Sequence, residues 1–94
     1  MMKIHIESHT LARAKERGTD EEEIRDVIGT GIPITAKYGR IGKAKIYNYK
    51  RKWLNKYYEQ KRVEVIYTIE KNVIITITVH VFYGKWEDID EHTI

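Results

Sequence analysis

The stretches RVEVIYTIE, residues 62–70, and VIITITVHVFY, residues 73–83, alternate in character with a period of two. That period is the mark of strands with one buried face. In the first, Val63, Val65, Tyr67 and Ile69 fall on one side and Arg62, Glu64, Ile66 and Thr68 on the other. In the second, Val73, Ile75, Ile77, Val79, Val81 and Tyr83 form the apolar set, against Ile74, Thr76, Thr78, His80 and Phe82. A two-residue turn at Lys71 and Asn72 would pair odd residues with even ones and bury Thr78 and His80. A three-residue loop, Glu70 to Asn72, keeps both apolar sets on one face, with Asn72 as the left-handed residue. This register predicts Ile69 opposite Val73, Glu64 opposite Thr78 and Arg62 opposite His80. It gathers Arg62, Glu64, Thr78 and His80 on the outer face. Val65, Tyr67, Ile75, Ile77 and Val79 then lie beneath whatever packs on the sheet.

Working upstream, AKIYNYK (44–50) reads as another strand, and IPITAKYG (32–39) as a further one, cut short by Gly39 and Gly42. KRKWLNKYYEQKR (50–62) reads either as a long hairpin loop or as extensions of both flanking strands. Nearer the start, KIHIE (3–7) is a candidate short strand. Ser8 is placed to cap a first helix that Gly18 stops, with only Leu11 and Ala14 as its apolar face. A second helix begins at a capping box, Thr19 with Glu22 or Asp20 with Glu23, and the early acids suit its positive end. Ile24, Val27 and Ile28 supply its buried stripe, and Gly29 and Gly31 end it. The expected class is α+β: two N-terminal helices packed on one face of an antiparallel sheet of about four strands.

Ninety-four residues make one domain, residues 1–94, burying about 65% of the unfolded surface. There is no cysteine, so disulfides and thiolate metal sites are excluded. No apolar run reaches the ~20 residues of a membrane span, and the start MMKIHIESH lacks a signal-peptide core. A soluble cytoplasmic protein without membrane partners is expected. Eleven Lys against six Arg, with one residue in three charged and a single Pro, lean toward a thermophilic source.

The net charge of +3 is segregated. Between Lys37 and Arg62 there are ten Lys or Arg and one acid, Glu59. Glu87 to Ile94 holds four acids and no Lys or Arg, and from about residue 88 it is expected to be disordered or loosely held. The basic block is interleaved with Tyr38, Tyr47, Tyr49, Trp53, Tyr57 and Tyr58. Cations beside flat rings supply phosphate neutralisation and stacking, so RNA is the expected partner. Lysines that guard a sheet edge are the competing account. Candidate substrate contacts are Tyr49, Lys50, Arg51, Tyr57 and Arg62. In SHTLARAKERG (8–18), the four-residue spacing also lines up His9, Arg13 and Arg17 on one helix face. That row is either solvated charge or a phosphate-gripping wall. The histidines at 5, 9, 80 and 92 form no ligand pair of the HExxH sort, so neither metal nor cofactor is expected.

The spacing S-H-x-x-x-R-x-x-x-R-G, the capped acidic helix, YEQKRVEVIYTIE and ITITVHVFYGKWE together resemble domain-of-unknown-function family 4258, over roughly His5 to Glu87. The helix motif falls on His9, Arg13 and Arg17, and the strand motif on Thr78, Tyr83, Gly84 and Trp86. The pattern departs at His80, where many relatives carry a hydrophobic residue or tyrosine. The family is grouped with the RelE-like and barnase-like small ribonucleases. The resemblance therefore implies a RelE-like fold and an endoribonuclease, with toxin–antitoxin toxins and an antitoxin partner in view. Metal-independent RNA cleavage needs a base for the ribose 2′-hydroxyl, an acid for the leaving oxygen and cations for the phosphorane-like charge. His9, Glu64 and His80 supply the acid–base groups, and Arg13, Arg17 and Arg62 can clamp phosphate bidentately. Hydrogen-bonded surface roles compete for each of them. A non-catalytic RNA-binding or partner-binding module would use the same basic surface without a convergent acid and base.

Overall fold

The computed structural model describes residues 2–86, so the expected loose tail from about residue 88, and His92, lie outside the described residues. Along the chain come β1 (Lys3–His5), α1 (Ser8–Arg17), α2 (Glu21–Thr30) and β2 (Ile32–Ile34). The long strands β3 (Ile41–Trp53), β4 (Lys56–Glu70) and β5 (Val73–Gly84) follow. The strands form one sheet in the order β1-β5-β4-β3-β2. The class is α+β, but the sheet has five strands and is mixed. The KIHIE stretch joins it as β1, parallel to β5, while the other pairings are antiparallel.

The β4–β5 hairpin corrects the expected register. Its turn is the two-residue one, with positive φ at Lys71 (51°) and Asn72 (65°), the hand that matches strand twist. Ile69 faces Ile74 and Tyr67 faces Thr76, and then a bulge leaves Ile77 between ladder pairs. Beyond it Ile66 faces Thr78, Glu64 faces His80 and Arg62 faces Phe82. Parity is thus restored inside the strand rather than at the turn, because a bulge adds one residue to one strand only. Near the turn Ile74 and Thr76 are buried, in place of the expected Ile75 and Ile77. Past the bulge Val79 lies in the core as expected, and His80 stays on the outer face. Thr76 is tolerated at the core because its hydroxyl is satisfied. It accepts from the Glu7 amide at 3.0 Å and donates to buried Thr10 at 3.1 Å.

The helices cover one face. Ile24, Val27 and Ile28 of α2 and Ala14 of α1 pack on Val63, Val65, Tyr67, Ile74 and Val79. Glu7, not Ser8, is the first-helix N-cap, and it makes no side-chain capping bond. Its carbonyl takes the amides of Thr10 and Leu11. Gly18 ends α1 at φ 94°, donating to the Ala14 carbonyl, and a Cβ there would collide with the Tyr83 hydroxyl. In α2 the Asp20 carboxylate accepts the Glu23 amide at 2.9 Å, as the capping box predicts. Glu23 does not close the box. Its carboxylate accepts instead from Thr19 (2.7 Å) and from Lys61 (2.7 Å), tying the α1–α2 turn to β4. Residues 50–61 are strand extensions: β3 and β4 run on to a turn at Leu54 and Asn55, both with positive φ. Among the described residues, no helix is long and apolar enough to cross a membrane.

A candidate nucleic-acid interface on the outer sheet face

The face away from the helices is a grid fixed by register. One row runs Thr78, Ile66, Gly42, Ile34; the next His80, Glu64, Ala44, Ile32; the third Phe82, Arg62, Ile46. Glu64 and His80 are directly opposed, so their Cβ atoms lie about 4.5–5.5 Å apart. Arg62 donates from Nε to Glu64 Oε2 at 2.9 Å. Both side chains are about a fifth exposed, so the pair sits in partly excluded water. Gly42 and Ala44 supply only small side chains to the first two rows.

The loop from Thr35 to Arg40 rises beside that floor. A hollow of about 320 Å³ is lined by Lys37, Tyr38 and Arg40 from the loop and by Glu64, Ile66, Thr78 and His80 from the sheet. The loop turns at Tyr38 (φ 60°) and Gly39 (φ 72°), closed by the Arg40 amide on the Lys37 carbonyl at 3.2 Å. Tyr38 is 85% exposed, with the Arg40 guanidinium 5.7 Å from its ring centre. Lys37 and Arg40 have no carboxylate partner among the described residues. A carboxylate, an imidazole and two cations without a carboxylate partner among the described residues therefore line one hollow, with Arg62 bound to that carboxylate. Phe82, 48% exposed and 6.3 Å from the His80 ring, adds a stacking surface beside it.

The α1 row splits. His9 donates from Nε2 to the Ile77 carbonyl at 2.9 Å, and Arg17 donates to the Val79 carbonyl at 2.7 Å. These are acceptors on the edge of β5 past its last β1 partner, Ile75, so two members of the row cap an open strand edge. Arg17 also reaches within 3.5 Å of His80 Nδ1, which leaves Nε2 as the nitrogen free for a ligand. Arg13 is exposed beside Glu16 at 3.6 Å. Glu64, His80 and Arg62 come together, with Arg17 at their flank, while His9 is committed to the β5 edge.

The remaining candidates lie on the β3–β4 extension. Tyr49 packs 5.3 Å from Tyr83 with the Arg51 guanidinium 4.6 Å over its ring, so it is a packed ring rather than an open platform. Lys50 sits at a bulge with φ 51°, exposed like Arg51. Tyr57 is 51% exposed. Sequence reasoning missed Arg40 and Phe82 as site residues; the signal for Arg40 is a basic turn, KYGR, whose strands flank the face bearing Glu64. Among the described residues, no group of three or more His, Asp or Glu is placed to hold a metal ion. Comparison with known proteins returned no matching family model, no matching curated protein and no matching solved structure.

Proposed function

We propose that the outer sheet face is the active surface of a RelE-like endoribonuclease that cuts RNA in the cytoplasm without a metal. The observation that carries this reading is Glu64 directly opposite His80, with Arg62 on Glu64, at the floor of a cation-rimmed hollow. Glu64 takes the proton of the ribose 2′-hydroxyl, and that oxygen attacks the adjacent phosphorus. His80, entering the step as the imidazolium, gives its Nε2 proton to the departing 5′-oxygen and becomes neutral imidazole, leaving a 2′,3′-cyclic phosphate. Arg62 and Arg40 hold the phosphate oxygens as charge builds on them, a task for planar, permanently charged forks. The resemblance to family 4258 supports the same class. It also extends the proposal to a toxin held inactive by an antitoxin protein.

The test is mixed RNA incubated with chelator, read for fragments with cyclic phosphate ends. Glu64→Gln and His80→Ala are each expected to slow cleavage by about 10²–10⁴-fold, and Arg62→Ala by about 10²-fold. No fragments from the native protein, or cleavage indifferent to Glu64→Gln and His80→Ala, overturns the assignment. The 2.9 Å ion pair that occupies Glu64 favours a second reading, an RNA-binding module without catalysis. In that case RNA is bound, and binding survives both substitutions, but no fragment forms.

A further inference from the structure

β5 stops at Gly84, opposite Gln60, but β3 and β4 continue past it as a two-stranded ribbon, pairing Arg51 with Tyr58, Lys52 with Tyr57 and Trp53 with Lys56. An isolated ribbon of this kind is marginal in water. This one is held down along its length: Trp53, the last strand residue before the turn, stacks on Tyr83 at 5.0 Å and 14°, and Tyr58 lies 5.5 Å from the same ring. The anchored arm presents Lys50, Arg51, Lys52 and Lys56, all exposed and none with a carboxylate partner among the described residues. Its tip is Leu54, 81% exposed and held at φ 52°. Of the ten cations between Lys37 and Arg62, only Lys45, Lys61 and Arg62 are ion-paired among the described residues. Burial explains neither the unpaired lysines nor the exposed tip.

We infer that this arm is a second binding segment for the backbone of a single RNA strand that leaves the Glu64–His80 hollow, making the protein selective for long, unpaired RNA. The inference rests on the proposed RNA-binding face and adds the substrate's length and form. Six residues of strand separate Arg62 from Lys56, about 20 Å at the usual rise. A stacked strand advances about 3.4 Å per nucleotide, so the arm is reached about six nucleotides from the hollow. Single-stranded RNA is the fitting occupant because Phe82 and Tyr57 offer half-exposed rings to unpaired bases. The deep, narrow major groove of an RNA duplex would exclude side chains from its base edges.

The experiment measures binding of labelled oligouridylate, a tetranucleotide and a dodecanucleotide, by fluorescence anisotropy across a salt series. It compares the full chain with its Lys50→Ala/Lys52→Ala/Lys56→Ala variant. The dodecanucleotide is expected to bind the variant at least tenfold more weakly, with a log–log salt slope shallower by about 2 for three lost contacts. The tetranucleotide is expected to bind both equally. A Lys3→Ala/Lys15→Ala variant, which lowers net charge elsewhere, should change neither. Equal losses on both lengths, no loss, the same loss from the Lys3/Lys15 control, or tighter binding of an RNA duplex overturns the inference. Its failure is separable from failure of the catalytic reading. Length-dependent binding without fragments removes catalysis and keeps the arm. Cleavage of both lengths unaffected by the triple variant removes the arm and keeps catalysis.

Discussion

Lys71 holds a φ of 51° and Asn72 one of 65°. The left-handed region costs an ordinary L-residue roughly 1–2 kcal/mol, and asparagine tolerates it better than lysine. The same arrangement recurs at Tyr38-Gly39 and Leu54-Asn55, each with Gly or Asn second and an unsuited residue first. Lys71 is exposed, so Lys71→Gly relieves strain without losing a contact. It is expected to stabilise the protein by up to about 1 kcal/mol, discounted for the freedom glycine adds to the unfolded chain. Thermal unfolding reads this directly, as a Tm rise of at most about 4–8 °C. A fall in Tm would mean that the lysine stem contributes more than the strain costs.

Two elements meet at Lys61. Its side chain is 6% exposed and its ammonium donates to the Gly18 carbonyl at 2.8 Å and to Glu23 at 2.7 Å. This single residue of β4 therefore ties the end of α1 to the first turn of α2. Removing one partner of a buried pair costs about 3–5 kcal/mol. Lys61→Met is expected near the low end, about 3 kcal/mol, because Glu23 remains about a quarter exposed and keeps Thr19. Denaturant unfolding at constant m-value would show the loss, and a change below about 1 kcal/mol would mark the contact as solvent-screened. α1 plays its own part at the element scale. His9 and Arg17 satisfy β5 carbonyls that would otherwise form an open edge, while short β1 and Pro33 in β2 blunt the outer edges.

For the molecule as a whole, pH dependence follows from Asp26 at the acid end and from buried phenols, Tyr47 and Tyr83 with Tyr67, at the alkaline end. Asp26 accepts from Lys45 at 2.7 Å, Tyr47 at 2.6 Å and Thr30 at 3.1 Å. These bonds, that of Lys45 foremost, hold its carboxyl below the ordinary 3.8. Its contribution is complete above 3.8 and is lost as pH falls through the lower folded-state value. Burial first, then the bond to Asp26, pushes the Tyr47 phenol well above its usual range. Burial, and next the neighbouring Tyr49, pushes Tyr83 up to about 12. Both phenols favour their neutral forms in the folded state, so their stabilisation is full below pH 10 and lost as pH rises from 10 toward 12. Stability measured by denaturant at a series of pH values should drop at both ends. Asp26→Asn should flatten the acid limb and, by removing the carboxylate that helps hold the Tyr47 phenol neutral, shrink the alkaline limb as well; an unchanged acid limb would remove Asp26 from its cause.

Period-two alternation in residues 62–83, the Gly18 stop and the Asp20 cap were legible because each depends on neighbours along the chain. They determined two helices, a long hairpin and an outer face bearing Arg62, Glu64, Thr78 and His80. The segregated basic block was equally plain, since charge needs no fold to be counted. Tertiary structure decided the rest. Whether parity is corrected at the Lys71 turn or at the Ile77 bulge depends on whether Thr76 finds Glu7 and Thr10, a contact between residues more than sixty positions apart. Whether His9 and Arg17 face a ligand or a strand edge depends on where β1 ends beside β5. The hollow exists because the Lys37–Arg40 turn lies over a face assembled from β4 and β5, and no local pattern encodes that approach. Local chemistry set which groups share a face; long-range packing set which of them remain free to act.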